Sequence, residues 1–92
     1  MIESIRHRGL RRLFERGDKK LISPGYLERL ENILVALDSA QNIEELALPG
    51  FRLHPLTGNL KGYWSITVSA NWRVIFRFVN GQVLDVDLVD YH

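Results

Sequence analysis

The residues of this chain able to move protons or hold developing negative charge are three histidines, a set of arginines and a terminal Asp90-Tyr91-His92. Imidazole titrates near neutrality, so His54 and His92 can each take or give a proton within one turnover. An arginine fork holds an oxyanion, a task suited to Arg73. Together these are the parts of a ribonuclease that requires no metal. A base removes the proton of a ribose 2′-OH, the oxygen attacks the adjacent phosphorus, a cation stabilises the phosphorane, and an acid protonates the departing 5′-oxygen. His54 and His92 would share the proton transfers, Arg73 would be the cation, and Asp90 would orient an imidazole. Plainer roles compete. His54 alone suits a hydrogen-bonded strand residue, Arg77 can pair with Asp85 or Asp87 across a hairpin, and Tyr63, Trp64 and Trp72 suit packing. His7, among arginines, reads as solvated surface. A metal site from His54, His92 and Asp90 lacks helical His spacing or a further ligand, so none is expected.

The elements that position these groups follow from periodicity. Ile2 to Ile5 can pair as a short strand. Leu10, Leu13 and Phe14 recur at helical spacing among arginines, and Gly17 ends that helix. Ser23-Pro24 is a helix start, followed by the stripe Leu27, Leu30, Ile33, Leu34 and Leu37, which ends near residues 38–41. The two helices should form a hairpin with a basic outer surface. After Pro49-Gly50 the period becomes 2, with strands expected at Phe51–Leu56, Gly62–Ser69, Trp72–Val79 and Gln82–Val89. Pro55 restricts the first to an edge. Arg52 and His54, two apart, share a face of it. Asn80-Gly81 marks a two-residue hairpin, which pairs Val79 with Gln82 and Arg73 with Leu88. That register places Arg73, Asp90 and His92 on one face and Tyr91 on the other, whereas a bulge would reverse it. Helices followed by strands give an α+β fold, an N-terminal helical hairpin packed on a curved antiparallel sheet.

At 92 residues the chain fits a single domain, residues 1–92. The absence of cysteine excludes disulfides, thiolate metal sites and cysteine nucleophiles. No apolar run reaches the ~20 residues of a bilayer span, and MIESIRHRGLRRLFERG lacks the apolar core of a signal peptide. A cytoplasmic protein without membrane contact is expected. Net charge is only +1, yet residues 1–30 hold eight Lys and Arg against four acids, and residues 85–92 hold three acids and no Lys or Arg. The basic N-terminal part suits phosphates, and loss of His92 alone should disarm the chain.

RHRGLRRLFERG, LPGFRLHPLTG, YWSITVSANWRVIFRF and the final VDYH together resemble, from end to end, the HigB-type toxins of the RelE/ParE superfamily. The resemblance implies the RelE-like microbial RNase fold. It also implies cleavage of mRNA in the ribosomal A site during translation, without a cofactor. Its implied partners are mRNA, the ribosome with its rRNA, and a HigA-type helix-turn-helix antitoxin through which alone operator DNA is bound. Carried over by position, the histidine of HPL falls on His54, the strand arginine on Arg73, and the terminal acid, tyrosine and histidine on Asp90, Tyr91 and His92. Tyr91 would contact the substrate nucleotide. The pattern departs at Thr57, where such toxins carry lysine; Lys61, with Arg52, Arg11 and Arg12, completes the expected RNA-contacting set. Two other outcomes share the fold: a ParE-like inhibitor of DNA gyrase that cuts no RNA, and a degenerate toxin that only binds antitoxin. Two imidazoles near an arginine favour the enzyme.

Overall fold

The computed structural model describes residues 1–90. Helix α1 spans Arg8–Arg16 and buries Leu10 and Leu13, while Phe14 stays partly exposed at its edge. His7 is not merely solvated surface, because its Nδ1 accepts the Leu10 N–H at 3.1 Å and caps the helix. Gly17 closes it in the left-handed region (φ 66°), its N–H donating to the Leu13 carbonyl at 3.0 Å. Ser23-Pro24 opens a 3₁₀ turn, Pro24–Tyr26, rather than the α-helix itself, and the Ser23 hydroxyl makes no capping bond. Gly25, a poor helix former, sits in that turn, and α2 proper runs Leu27–Ser39. Leu30, Ile33, Leu34 and Leu37 are buried as the stripe requires. The basic outer surface belongs to α1 alone, since Glu28, Glu31 and Asp38 lie on α2.

Four antiparallel strands follow as a meander: β1 His54–Pro55, β2 Tyr63–Thr67, β3 Trp72–Val79 and β4 Gln82–Asp90. Residues 1–6 extend the sheet along the outer edge of β4 in parallel, through Ile2–Val83 and Ile5–Val86 bridges. One sheet face carries Ile66, Val74, Phe76, Val83 and Val86 into the core with the helices, and Trp64, Phe78 and Leu88 pack around it. The other face is open and carries Tyr63, Ser65 and Thr67 of β2, Arg73, Ile75 and Arg77 of β3, and Leu84 and Asp87 of β4.

Two expectations for the sheet are also corrected. The first strand shrinks from Phe51–Leu56 to His54–Pro55. Phe51 turns into the core, and Arg52 adopts a left-handed φ of 52°, which interrupts extension before the pairing with β2 begins. The β3–β4 register also differs. Asn80 and Gly81 form the expected turn with φ of 51° and 79°, and Val79 pairs with Gln82. A bulge then places Asp85 and Val86 opposite Phe76, with Asp85 at φ 55°. Arg73 therefore faces Val89 rather than Leu88, and Asp90 faces Trp72. Asp90 thus takes the alternation of the helix-facing side, opposite to that of Arg73. Tyr91 and His92 lie outside the described residues.

Candidate active site

His54 is exposed on the open face at the β1 edge, paired with Ser65. Its Nδ1 lies 2.8 Å from the carbonyl oxygen of Arg52. A carbonyl only accepts, so this bond requires the proton on Nδ1 and leaves the lone pair of the neutral ring on Nε2. Such a ring is oriented for proton abstraction by one defined nitrogen. Ser65 is 1% exposed, and its hydroxyl has no hydrogen-bond partner among the described residues.

Arg73 occupies the same face two strands away and two residue pairs further along, opposite Thr67. Strand spacing and rise put its Cα roughly 12 Å from that of His54. Its Nη1 donates to the carbonyls of Ser69 at 2.6 Å and Trp72 at 3.1 Å, which fixes the guanidinium at the turn between β2 and β3. Arg77, on the same face, pairs with Asp85 at 2.9 Å, the cross-hairpin alternative that the sequence allowed. The carboxylate that the register sets on the His54 face is Asp87, in one row with Ile75, Ser65 and His54. Its Oδ1 accepts the Leu88 N–H at 2.9 Å. Sequence reasoning weighed Asp87 only as a partner for Arg77; the bulge brings it to this face, and no local signal in the sequence marks that bulge.

The remaining candidates are spread over both layers. Arg52 is exposed beside His54, and Lys61 is exposed in the β1–β2 loop after a 3₁₀ turn, Gly58–Leu60, that begins beyond Thr57. Arg11 and Arg12 sit on α1, on the other side of the sheet. Arg11 donates to the Ile5 carbonyl at 3.3 Å, and Arg12 lies 3.7 Å from the Asp18 carboxylate. Trp64 and Trp72 pack on the helix side, so neither presents its ring to the open face. A concavity of about 340 Å³ between α1 and α2, floored by Leu13 and Leu34, is remote from His54. On the His54 face, His54 is exposed and Arg73 half-buried around Ser65 and Ile75, which are 1% and 5% exposed. Among the described residues no group of three or more His, Asp or Glu is placed to hold a metal ion.

Residues 3–92 match the model of the HigB-like toxin family, described as the RelE-like toxin of the type II toxin–antitoxin system HigB. The chain is 45% identical to Endoribonuclease HigB of Proteus vulgaris over 92 residues, covering 100% of each. It is 34% identical to Toxin HigB-1 of Vibrio cholerae over 90 residues, covering 96% of this chain and 95% of that one. Among solved structures, a point mutant of YafQ from E. coli superimposes with a TM-score of 0.65 at 21% identity, covering 98% of this chain and 91% of the other. That likeness establishes the shared α+β fold.

Proposed function

Because the chain belongs to the HigB-like family of RelE-like toxins of type II toxin–antitoxin systems, we propose that it is an endoribonuclease that cuts mRNA in the A site of the translating ribosome. The observation that carries this reading is His54, exposed on an open face with Nδ1 committed to a carbonyl and Nε2 left to act. RNA supplies its own nucleophile. His54 Nε2 takes the 2′-OH proton, the oxygen attacks phosphorus, Arg73 stabilises the phosphorane, and His92 protonates the leaving 5′-oxygen. Asp90, adjacent in sequence to Tyr91 and His92, orients the terminal imidazole, and Tyr91 contacts the nucleotide. Arg52 and Lys61 hold substrate phosphates, and Arg11 and Arg12 face rRNA. The protein works in the cytoplasm and is neutralised by an antitoxin, of HigA type with a helix-turn-helix, which alone brings the pair to operator DNA.

A purified translation system tests this reading. Codon-phased mRNA cuts are expected with the natural sequence, falling by about 10²–10⁴ for His54→Ala and His92→Ala. Full cleavage by both variants, or inhibition of gyrase supercoiling without any cuts, would overturn it.

A further inference from the structure

Arg29 lies on α2, far from His54 in sequence, yet it reaches the corner from which His54 departs. Its Nη2 donates to the carbonyls of Gly50 at 2.6 Å and Thr67 at 2.8 Å, and its Nε to Thr67 at 3.3 Å. The guanidinium carbon sits 5.2 Å from the centroid of the Phe51 ring. The Thr67 N–H in turn donates to the Phe51 carbonyl at 2.8 Å. Residues 50 and 51 are thereby tied to both α2 and β2. The next residue, Arg52, takes the left-handed φ of 52° that side-chain-bearing residues rarely adopt. It is the carbonyl of this residue that meets Nδ1 of His54 at 2.8 Å.

We propose that the Arg52 backbone, locked by the Arg29 fork, selects the tautomer of His54 and thereby keeps Nε2 as the proton acceptor. Arg29 and Arg52 are positioning residues in this scheme, and Arg52 acts through its carbonyl in addition to any contact its guanidinium makes. The proposal rests on the reading of His54 as the group that takes the 2′-OH proton, but its first readout does not. Arg52→Asn and Arg52→Val both remove the cation; asparagine tolerates the left-handed conformation, and a β-branched valine does not.

Nitrogen-15 NMR of the neutral imidazole shows which nitrogen carries the proton, and single-turnover mRNA cleavage on programmed ribosomes gives the rate. The Asn variant is expected to keep Nδ1–H. The Val variant is expected to shift toward Nε2–H and to cut on the order of 10- to 100-fold more slowly than Asn. Should valine prevent folding, Arg29→Lys keeps the charge without the planar fork, and is expected to loosen the tautomer and lower kcat with KM little changed. An unchanged Nδ1–H tautomer in Arg29→Lys and in any Arg52→Val that folds overturns the proposal. A changed tautomer with equal cleavage by the Asn and Val variants overturns the link to catalysis. His54→Ala, run in parallel, separates both results from failure of the underlying assignment.

Discussion

At the scale of single residues, the open face combines one oriented imidazole with one hydroxyl that has nothing to bond among the described residues. Burying a hydroxyl without a partner costs about 1–3 kcal/mol, and replacing it by hydrogen, as alanine does, removes that cost. Ser65→Ala is therefore expected to leave stability unchanged or raise it by up to about 1 kcal/mol, read as the midpoint of urea denaturation. A destabilisation greater than that would show that Ser65 has a partner in solution, for instance ordered water. Thr57 is exposed at the start of the loop that leads to Lys61, so a cation there has room to reach solvent. Thr57→Lys should strengthen ribosome binding, and one added phosphate contact steepens the log affinity against log salt plot by about 0.7–0.9. Binding measured at several salt concentrations decides it; an unaltered slope would mean that this loop touches no phosphate.

Among the elements, the β3–β4 hairpin decides which side chains reach the site. Its tip was legible in Asn80-Gly81, since two consecutive left-handed residues are what that dipeptide accommodates. The bulge was not legible, because nothing local distinguishes Asp85 from an ordinary outward strand residue. Its left-handed φ is sustained by Arg77 at 2.9 Å and by Ser4, whose hydroxyl accepts the Asp85 N–H at 2.8 Å from 81 residues away. The helical stripe of α2 was readable for the opposite reason, its period being set within one element. β1 was overread because its limit is likewise a distant contact, the grip of Arg29 on Gly50 and Thr67. Asp85→Val puts a β-branched residue in the left-handed region and should cost about 1–3 kcal/mol. Asp85→Asn, which tolerates that region, should cost less, since a partly exposed ion pair contributes about 0–1 kcal/mol. Denaturation of the two variants side by side tests the bulge, and equal destabilisation would argue that the ion pair, not the backbone, holds it.

Across the whole molecule, the net +1 conceals a sorting of charge by layer. Residues 31–50, from α2 to the loop before β1, hold four acids and no Lys or Arg, whereas residues 51–84 hold Arg52, Lys61, Arg73 and Arg77 and no acid, and the rest of β4 adds Asp85, Asp87 and Asp90. Helix α1 adds Arg8, Arg11, Arg12 and Arg16 against Glu15. On the proposed reading, a polyanion meets attraction from α1 and from residues 51–84, and repulsion from the α2 side and from β4, a pattern that would orient the protein on the ribosome before any close contact forms. The open sheet face and α1 lie on different sides of the sheet, which requires rRNA to approach more than one surface if Arg11 and Arg12 take part. Removing a single phosphate-binding cation should reduce the salt slope of ribosome binding by about 0.7–0.9, so the Arg11→Gln, Arg12→Gln pair should reduce it by about twice that. Neutralising Glu31 and Glu44 should weaken nothing and leave the slope as it was. A slope that ignores both arginines would confine the ribosome to the sheet face and leave α1 outside the interface.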